Sequence, residues 1–320
     1  SPCAFNSSRD GHFTTPFLKS RLFFRARSTR ADRRREIMGR IRKFAPLFAI
    51  ILIVSGCASQ NKSSTGSETT TCAPSSLKTV ESGVLTIATG EPAYYPWVID
   101  DKPESGQGFE AAVAYAVAKQ LGYEQSAVKW TRTTFDAAIA PGPKTFDFNL
   151  QQYSITDERK QVVDFSSPYY KSNQAIVSFK GSKLDGITTL QGIKDAKAKL
   201  GAAVSTTSLD VIQTQLGLKA SVFNDNAAGV TALKNKQIDG LVVDLPTAFY
   251  LSGVEIPKGI IVGQIDGSSA GDQGFGLLLA KASPLTSCVS QAVDAITSNG
   301  TLQAITDKWL AASAGAPVLK

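Results

Sequence analysis

Gln151-Gln152-Tyr153-Ser154-Ile155-Thr156-Asp157-Glu158-Arg159, followed by Val163-Asp164-Phe165-Ser166-Ser167-Pro168-Tyr169-Tyr170, is the stretch on which the reading of the fold turns. An apolar alternation at Phe146, Phe148 and Leu150 leads into it as a strand would. Ser154 and Thr156 are N-cap residue types, and Asp157 and Glu158 stand where the first turn of a helix favours negative charge. Arg159 comes next. A strand end, a helix N-terminus and one guanidinium together make a receptor for a carboxylate. Taken alone, a capped helix with a surface ion pair is the plainer reading, so the rest of the chain has to decide.

Outward from that stretch, strand patterns alternate with helix patterns. Val84-Leu85-Thr86-Ile87-Ala88 reads as a buried strand, followed by a Gly/Pro/aromatic loop from Gly90 to Trp97. Phe109 to Leu121 has apolar residues at helical spacing and ends at Gly122, a C-cap type. After a strand at Gln174 to Phe179 the plan restarts. Leu200 to Val204 is a strand, and Ser205-Thr206-Thr207-Ser208 caps a helix. Leu241 to Asp244 is a further strand, and Gly274 to Ala280 another. The chain closes with an amphipathic helix over 283–298 and a short one carrying Trp309. This spacing predicts an α/β fold built mainly from parallel βαβ units.

The N-terminal part has a different character. Met38 precedes Arg40, Arg42 and Lys43, then the apolar run Phe44 to Val54, then Ser55-Gly56-Cys57. A basic region, a short apolar region and small residues describe a secretory signal over 38–56. The 11-residue run is well short of the ~20 residues needed to span a bilayer. Ser-Gly-Cys resembles a bacterial lipobox, which makes Cys57 the expected lipidation site; a plain signal peptide and an uncleaved anchor are the alternatives. Residues 1–37 are Arg-rich and patternless, read most simply as an upstream over-extension and otherwise as a basic tail for nucleic acid or lipid. The Ser/Thr-rich segment within 57–80 reads as a tether.

This division changes the electrostatics. Residues 1–56 hold 12 of the 34 Lys+Arg and 3 of the 27 Asp+Glu, leaving 22 basic against 24 acidic residues downstream. The formal charge of +7 therefore belongs to the leader, and a nucleic-acid partner is not expected. The single histidine, His12, is upstream as well, which removes Ser–His–Asp and Cys–His catalysis and histidine-ligated zinc. No cofactor and no metal site is expected. Cys72 and Cys288 remain as an even pair in an exported chain, so a disulfide is expected, with two reduced thiols as the alternative.

Polar features collect at strand ends and helix starts, where ligands of open α/β sheets bind. They are Ser154, Thr156 and Arg159 in the first half, and Ser205-Thr206-Thr207 and Asp244 in the second. Tyr94 and Trp97 lie in the loop after the first strand. Each has an ordinary explanation as a cap or a packing aromatic. Their combination resembles the polar amino-acid class of extracellular solute-binding proteins that serve ABC transporters. The resemblance rests on Glu-Pro-Ala-Tyr-Tyr-Pro-Trp at 91–97, Gly-Phe-Glu at 108–110, Ser-Ile-Thr-Asp-Glu-Arg at 154–159 and Asp-Phe-Ser-Ser-Pro-Tyr-Tyr at 164–170. Ser-Thr-Thr at 205–207, Asp244 and Asn-Gly-Thr-Leu with Lys-Trp-Leu at 299–310 complete it.

The resemblance implies a two-lobed periplasmic-binding-protein fold of type II, its lobes joined by two crossing strands near Ser172–Ala175 and Gly274–Leu277. Lobe 1 would comprise 81–174 and 276–314, and lobe 2 would comprise 175–275. It also implies that Arg159 pairs bidentately with a ligand α-carboxylate, aided by the Thr207 N–H or hydroxyl, with Thr206 a further ligand-binding candidate. Asp244 would hold the α-ammonium with Gln152 or Ser154, and Tyr94 would pack over the side chain, with Trp97 offering a second aromatic face from the same loop. Gln151-Gln152-Tyr153 departs from the small residues usual there. Glu91 stands where some relatives carry an Asp that meets cationic side chains. The implied ligand is a free polar amino acid, with a cationic side chain as one option. The implied partners are an ABC permease and its ATPase, for a monomer tethered to the outer face of the cell membrane. The alternatives are a ligand sensor for a membrane receptor and, on the same fold, an enzyme such as a dehydratase, for which Glu91 and Glu110 are the first-lobe candidates.

Overall fold

Strand β1 (Leu85–Thr89) is buried at every position, as a strand with neighbours on both edges and helices over its faces should be. The computed structural model describes residues 71–268, 273–311 and 315–320, all within one unit, Ser64–Lys320. The upstream extension, the signal segment, Cys57 and most of the expected tether lie outside the described residues. Helix α1 (Phe109–Gln120) follows β1, and its N-cap Gly108 has φ 104°. A Cβ there would lie 2.5 Å from the Trp97 carbonyl oxygen, so only glycine lets the helix start against that loop. Strand β2 (Val128–Arg132), helix α2 (Phe135–Ile139) and strand β3 (Phe148–Asn149) complete the first parallel set.

The stretch 151–159 departs from the sequence expectation. Its helix does not form. Ser154 bridges antiparallel to Phe275, the Ile155 N–H donates to Gly274 O at 2.8 Å, and the Gly276 N–H donates to Tyr153 O at 3.0 Å. Thr156 does cap a turn, its Oγ1 accepting from the Arg159 N–H at 3.2 Å, but only one 3-10 turn follows, Arg159–Gln161. Strand β4 (Val163–Tyr170) then begins, leaving too little chain for an α-helix.

After β4 the chain crosses to a second sheet: β5 (Gln174–Phe179), helix α3 (Leu190–Asp195), β6 (Leu200–Ala203) and helix α4 (Thr207–Asp210). β7 (Ser221–Phe223), helix α5 (Asn226–Lys234), β8 (Gly240–Asp244), helix α6 (Leu245–Tyr250) and β9 (Gly259–Ile265) follow. β10 (Phe275–Ala280) returns to the first sheet, covered by helices α7 (Thr286–Ser298) and α8 (Thr301–Leu310). The sheet orders are β2-β1-β3-β10-β4 and, with β11 (Val318–Leu319), β11-β9-β5-β8-β6-β7.

Both sheets are mixed: the βαβ units pair in parallel as expected, and the crossing strands add antiparallel pairs. β10 runs antiparallel to β3 and β4, and β5 runs antiparallel to β8 and β9. The strands that travel between the sheets cannot share the direction of the βαβ units. The last strand has no counterpart in the sequence pattern: β11 pairs in parallel with β9, so the chain visits the second sheet again at its end.

The first core gathers Leu85, Ile87, Phe109 and Phe148 under a stripe of α7, where Cys288, Val289, Ala292, Val293 and Ile296 are buried at helical spacing. That stripe presents Cys288 to Cys72, and the expected disulfide is present, with a Cα–Cα distance of 5.4 Å. The second sheet buries apolar residues on both faces, Ile176, Leu200 and Val242 on one and Val177, Leu241 and Val243 on the other.

Candidate ligand-binding cleft

The carboxyl ends of β1, β6 and β8, with the approach to Ser154, surround a cavity of about 290 Å³. That is at the lower end of the ~300–1,000 Å³ typical of small-molecule sites. Residues of both sheets line it. From the first come Glu91, Tyr94, Trp97, Gln151 and Gln152; from the second come Thr206, Thr207 and Asp244. These are eight of the ten side chains singled out in the sequence. Arg159 and Ser154 are not on the wall.

Arg159 sits behind the wall, 8% exposed. Its Nη1 donates to Ser154 O and its Nη2 to Ser205 O, both at 2.8 Å, and its guanidinium lies 5.4 Å from the Phe135 ring centroid. The arginine thus ties the two sheets' edges together. Ser205 turns its carbonyl there from a left-handed conformation, φ 61°, which costs a non-glycine residue about 1–2 kcal/mol. Ser154 Oγ lies 3.5 Å from Thr207 Oγ1, and Trp97 Nε1 donates to Thr247 Oγ1 at 2.9 Å. Trp97 is 1% exposed and packs edge-on against Phe109, Tyr170 and Phe275, so the indole is as much a piece of the first core as of the wall.

Asp244 ends β8 at the N-cap position of α6, yet its side chain makes no capping bond. Instead Oδ1 accepts from Gln174 Nε2 at 2.6 Å. Gln174 is buried beside it in the antiparallel register of β5 and β8, and its Oε1 accepts from Ser208 Oγ. Sequence reasoning misses Gln174, because nothing in its neighbourhood marks it.

Glu110 enters the sequence reading in the Gly-Phe-Glu stretch and as an enzyme candidate, not as a ligand-binding residue. It is 1% exposed in the first turn of α1 and also reaches the wall. Oε1 accepts from the Gln152 N–H at 2.8 Å and from Tyr169 Oη; Oε2 accepts from Gln152 Nε2. Burial pushes this carboxyl up to about 7, against the pull of the Tyr169 and Gln152 hydrogen bonds. Gln151 Oε1 accepts from Tyr153 Oη at 2.9 Å, and its amide fills the space a Cβ at Gly90 would need. Gly90 therefore admits a long amide where the wall would otherwise be closed.

The cleft is acidic. Glu91, Glu110, Asp136, Asp225 and Asp244 line it, and among the described residues no lysine, arginine or histidine does. Sequence reasoning does not single out Asp136 or Asp225. Asp225 caps α5 by accepting from the Ala228 N–H at 2.8 Å, a role readable from a strand followed by Asn-Asp-Asn. The Tyr94 phenol is pushed up to about 12, first by burial and then by the Asp225 charge.

Comparison with known proteins agrees with this architecture. Residues 85–312 match the family described as bacterial extracellular solute-binding proteins, family 3. The arginine-binding extracellular protein ArtP of Bacillus subtilis (strain 168) is 28% identical over 231 residues, 72% of this chain and 88% of that protein. The L-cystine-binding protein TcyJ of Escherichia coli (strain K12) is 30% identical over 240 residues, 73% of this chain and 85% of that protein. A solved structure of an ancestral arginine-binding protein bound to glutamine is 29% identical with a TM-score of 0.58, covering 71% of this chain and 98% of that one. An ancestral amino acid-binding protein, a precursor of cyclohexadienyl dehydratase, is 27% identical at the same TM-score, covering 71% and 95%. With two mixed sheets, a cleft lined from both and a family match over most of its length, the chain belongs to the family-3 bacterial extracellular solute-binding proteins, of the type II periplasmic-binding-protein fold.

Proposed function

We propose that the protein captures a free amino acid with a cationic side chain between two lobes and delivers it to an ABC permease. In this reading lobe 1 is 81–174 with 276–314, and lobe 2 is 175–275. The observation that carries the reading is the acidic cleft lined from both sheets, with Asp244 on one side and Glu91, Asp136 and Asp225 around the rest. Asp244 binds the α-ammonium. The α-carboxylate meets Thr207 at the start of α4 and Arg159 behind it. Tyr94 packs over the ligand stem, and the remaining carboxylates face the cationic end. Each charge of the zwitterion then has a partner, as burial requires. ArtP and the ancestral arginine-binding protein support this ligand class, whereas TcyJ and the bound glutamine favour a broader polar one.

The protein acts outside the cytoplasm, anchored through a lipid on Cys57, with a permease and its ATPase as partners. Ligand bridging both lobes favours the closed arrangement by its differential affinity for it. Thermal-shift measurement against the twenty amino acids, ornithine, citrulline and cystine tests the reading. Arginine, lysine or ornithine should give the largest rise in Tm, and N-acetylated forms none. A rise with glutamate alone, or with no free amino acid, overturns it. A second reading rests on Glu110, a wall carboxyl raised to about 7 as general acids are; turnover of a bound amino acid would favour it.

A further inference from the structure

Glu110 is buried, is not used by the ammonium and carboxylate clamp, and joins the cleft wall beside a hydrogen-bonded neighbour that also lines it. That neighbour is Gln152, whose backbone is left-handed at φ 52° and whose N–H and Nε2 both donate to the two oxygens of Glu110. An ionised carboxylate only accepts, so it fixes which end of the Gln152 amide faces it. The nitrogen faces Glu110. The oxygen is left for the other side. Among the described residues Gln152 Oε1 takes no hydrogen bond, and the half-buried Gln152 lines the cavity. We infer that Glu110 is a positioning residue: it holds the Gln152 side-chain amide with its oxygen toward the cleft, which makes Gln152 an acceptor for an N–H group of the ligand.

The anchor is stiff. Tyr169 Oη adds a third hydrogen bond to the same carboxylate, and the Glu110 N–H is held by Trp97 O at 2.9 Å. Turning the amide over would set Oε1 against Glu110 Oε2 and remove a charge-assisted hydrogen bond. Protonation of Glu110 alters this, because a carboxylic acid can donate to an amide oxygen. The amide is then released to present either end. The titratable side chains that face Glu110 are Tyr169 of β4 and Tyr153; burial and the Glu110 charge hold both phenols well above 10, so neither titrates near neutrality. Asp244 acts on Tyr169 from the other sheet, and Asp136 and Arg159 act on Tyr153.

The inference rests on the cleft being the ligand site, and two measurements on the whole chain separate the two claims. The first needs no ligand. The Gln152 side-chain NH2 signal is identified by its loss in Gln152→Ser and followed by NMR from pH 5.5 to 8.5. It should titrate with a midpoint near the Glu110 value of about 7 and stay flat in Glu110→Gln. A flat wild-type signal overturns the inference, whatever the protein binds. The second is calorimetry with L-arginine over the same range. Wild-type affinity should fall about ten-fold as pH drops through 7, the worth of one hydrogen bond to a charged group. Gln152→Ser should bind about ten-fold more weakly above pH 7 and show no step. A step of wild-type size in Gln152→Ser means that Glu110 acts on the ligand directly and overturns the positioning role. If the NMR titration is seen and no amino acid binds, the functional reading fails and the Glu110–Gln152 coupling stands.

Discussion

Each sheet brings one glutamine–carboxylate pair to the cleft, and the two pairs are built in opposite senses. In the second sheet the amide is the buried member: Gln174, 1% exposed, holds Asp244, which faces the cavity. In the first sheet the carboxylate is the buried member: Glu110, 1% exposed, holds Gln152, which faces the cavity. One sheet offers a charge steadied by a neutral group, and the other offers a neutral group steadied by a charge. A charge at the wall binds a cation strongly. A neutral acceptor adds direction at little electrostatic strength, and its buried partner carries the desolvation. The difference shows how two similar side-chain sets divide affinity from orientation.

Substitutions at four positions test that division, and Arg159→Ala should have the largest effect. Arg159 is bonded to Ser154 O and Ser205 O, one on each side, so its loss removes the tie between the pairs as well as a buried cation. Binding should weaken by about 3–5 kcal/mol, read by calorimetry; Arg159→Lys should restore little, because one ammonium cannot span two carbonyls. Near-wild-type affinity in Arg159→Ala would remove it from the site. Asp244→Asn should follow, at about 2–3 kcal/mol, since it deletes the charged member but keeps the shape.

The third test is of stability. The Glu110 carboxyl stands at about 7 against an ordinary 4.5. Between those values the folded chain holds a proton that the unfolded chain has released, so stability is greatest on the acid side and declines as pH rises toward 7. The decline amounts to a few kcal/mol, because each ten-fold difference in proton affinity is worth about 1.4 kcal/mol. Denaturant titrations should show it as the difference between wild type and Glu110→Gln, whose profile is flatter there. Parallel profiles would mean that Glu110 is ionised throughout. Gln174→Leu should have the smallest effect, about 1–2 kcal/mol in affinity, by leaving Asp244 without its buried donor. An equal loss in Gln174→Leu and Asp244→Asn would show that orientation, rather than charge, dominates the second lobe.

What was legible in the sequence was local. Leu85 to Ala88 and Leu241 to Val243 read as strands because both faces of each are buried, giving unbroken apolar runs. Ser205 to Thr207 read as a helix start because Thr206 does cap Leu209 there. The same cap chemistry misleads at Ser154 to Arg159: Thr156 caps a turn, but the pairing of residues 153–155 with 273–276 overrides the helix, and that partner is more than a hundred residues away. Distance in sequence also hides Gln174, which meets Asp244 only through strand register, 70 residues apart. Glu110 is visible as an acidic residue in a first helical turn, a position that predicts an exposed dipole partner rather than a buried anchor.

The C-terminal strand changes how separable the halves of this protein are. Leu319 of β11 is 1% exposed within the second sheet's core, and the Leu190 N–H donates to Lys320 O. The segment between the crossing strands is therefore not a detachable cassette. Excised alone, it would lack the strand that covers the outer edge of β9, and that edge would be open to pairing with another chain. A fragment or circular permutant of the second lobe should be soluble and well folded only when it carries residues 315–320 as its own final strand.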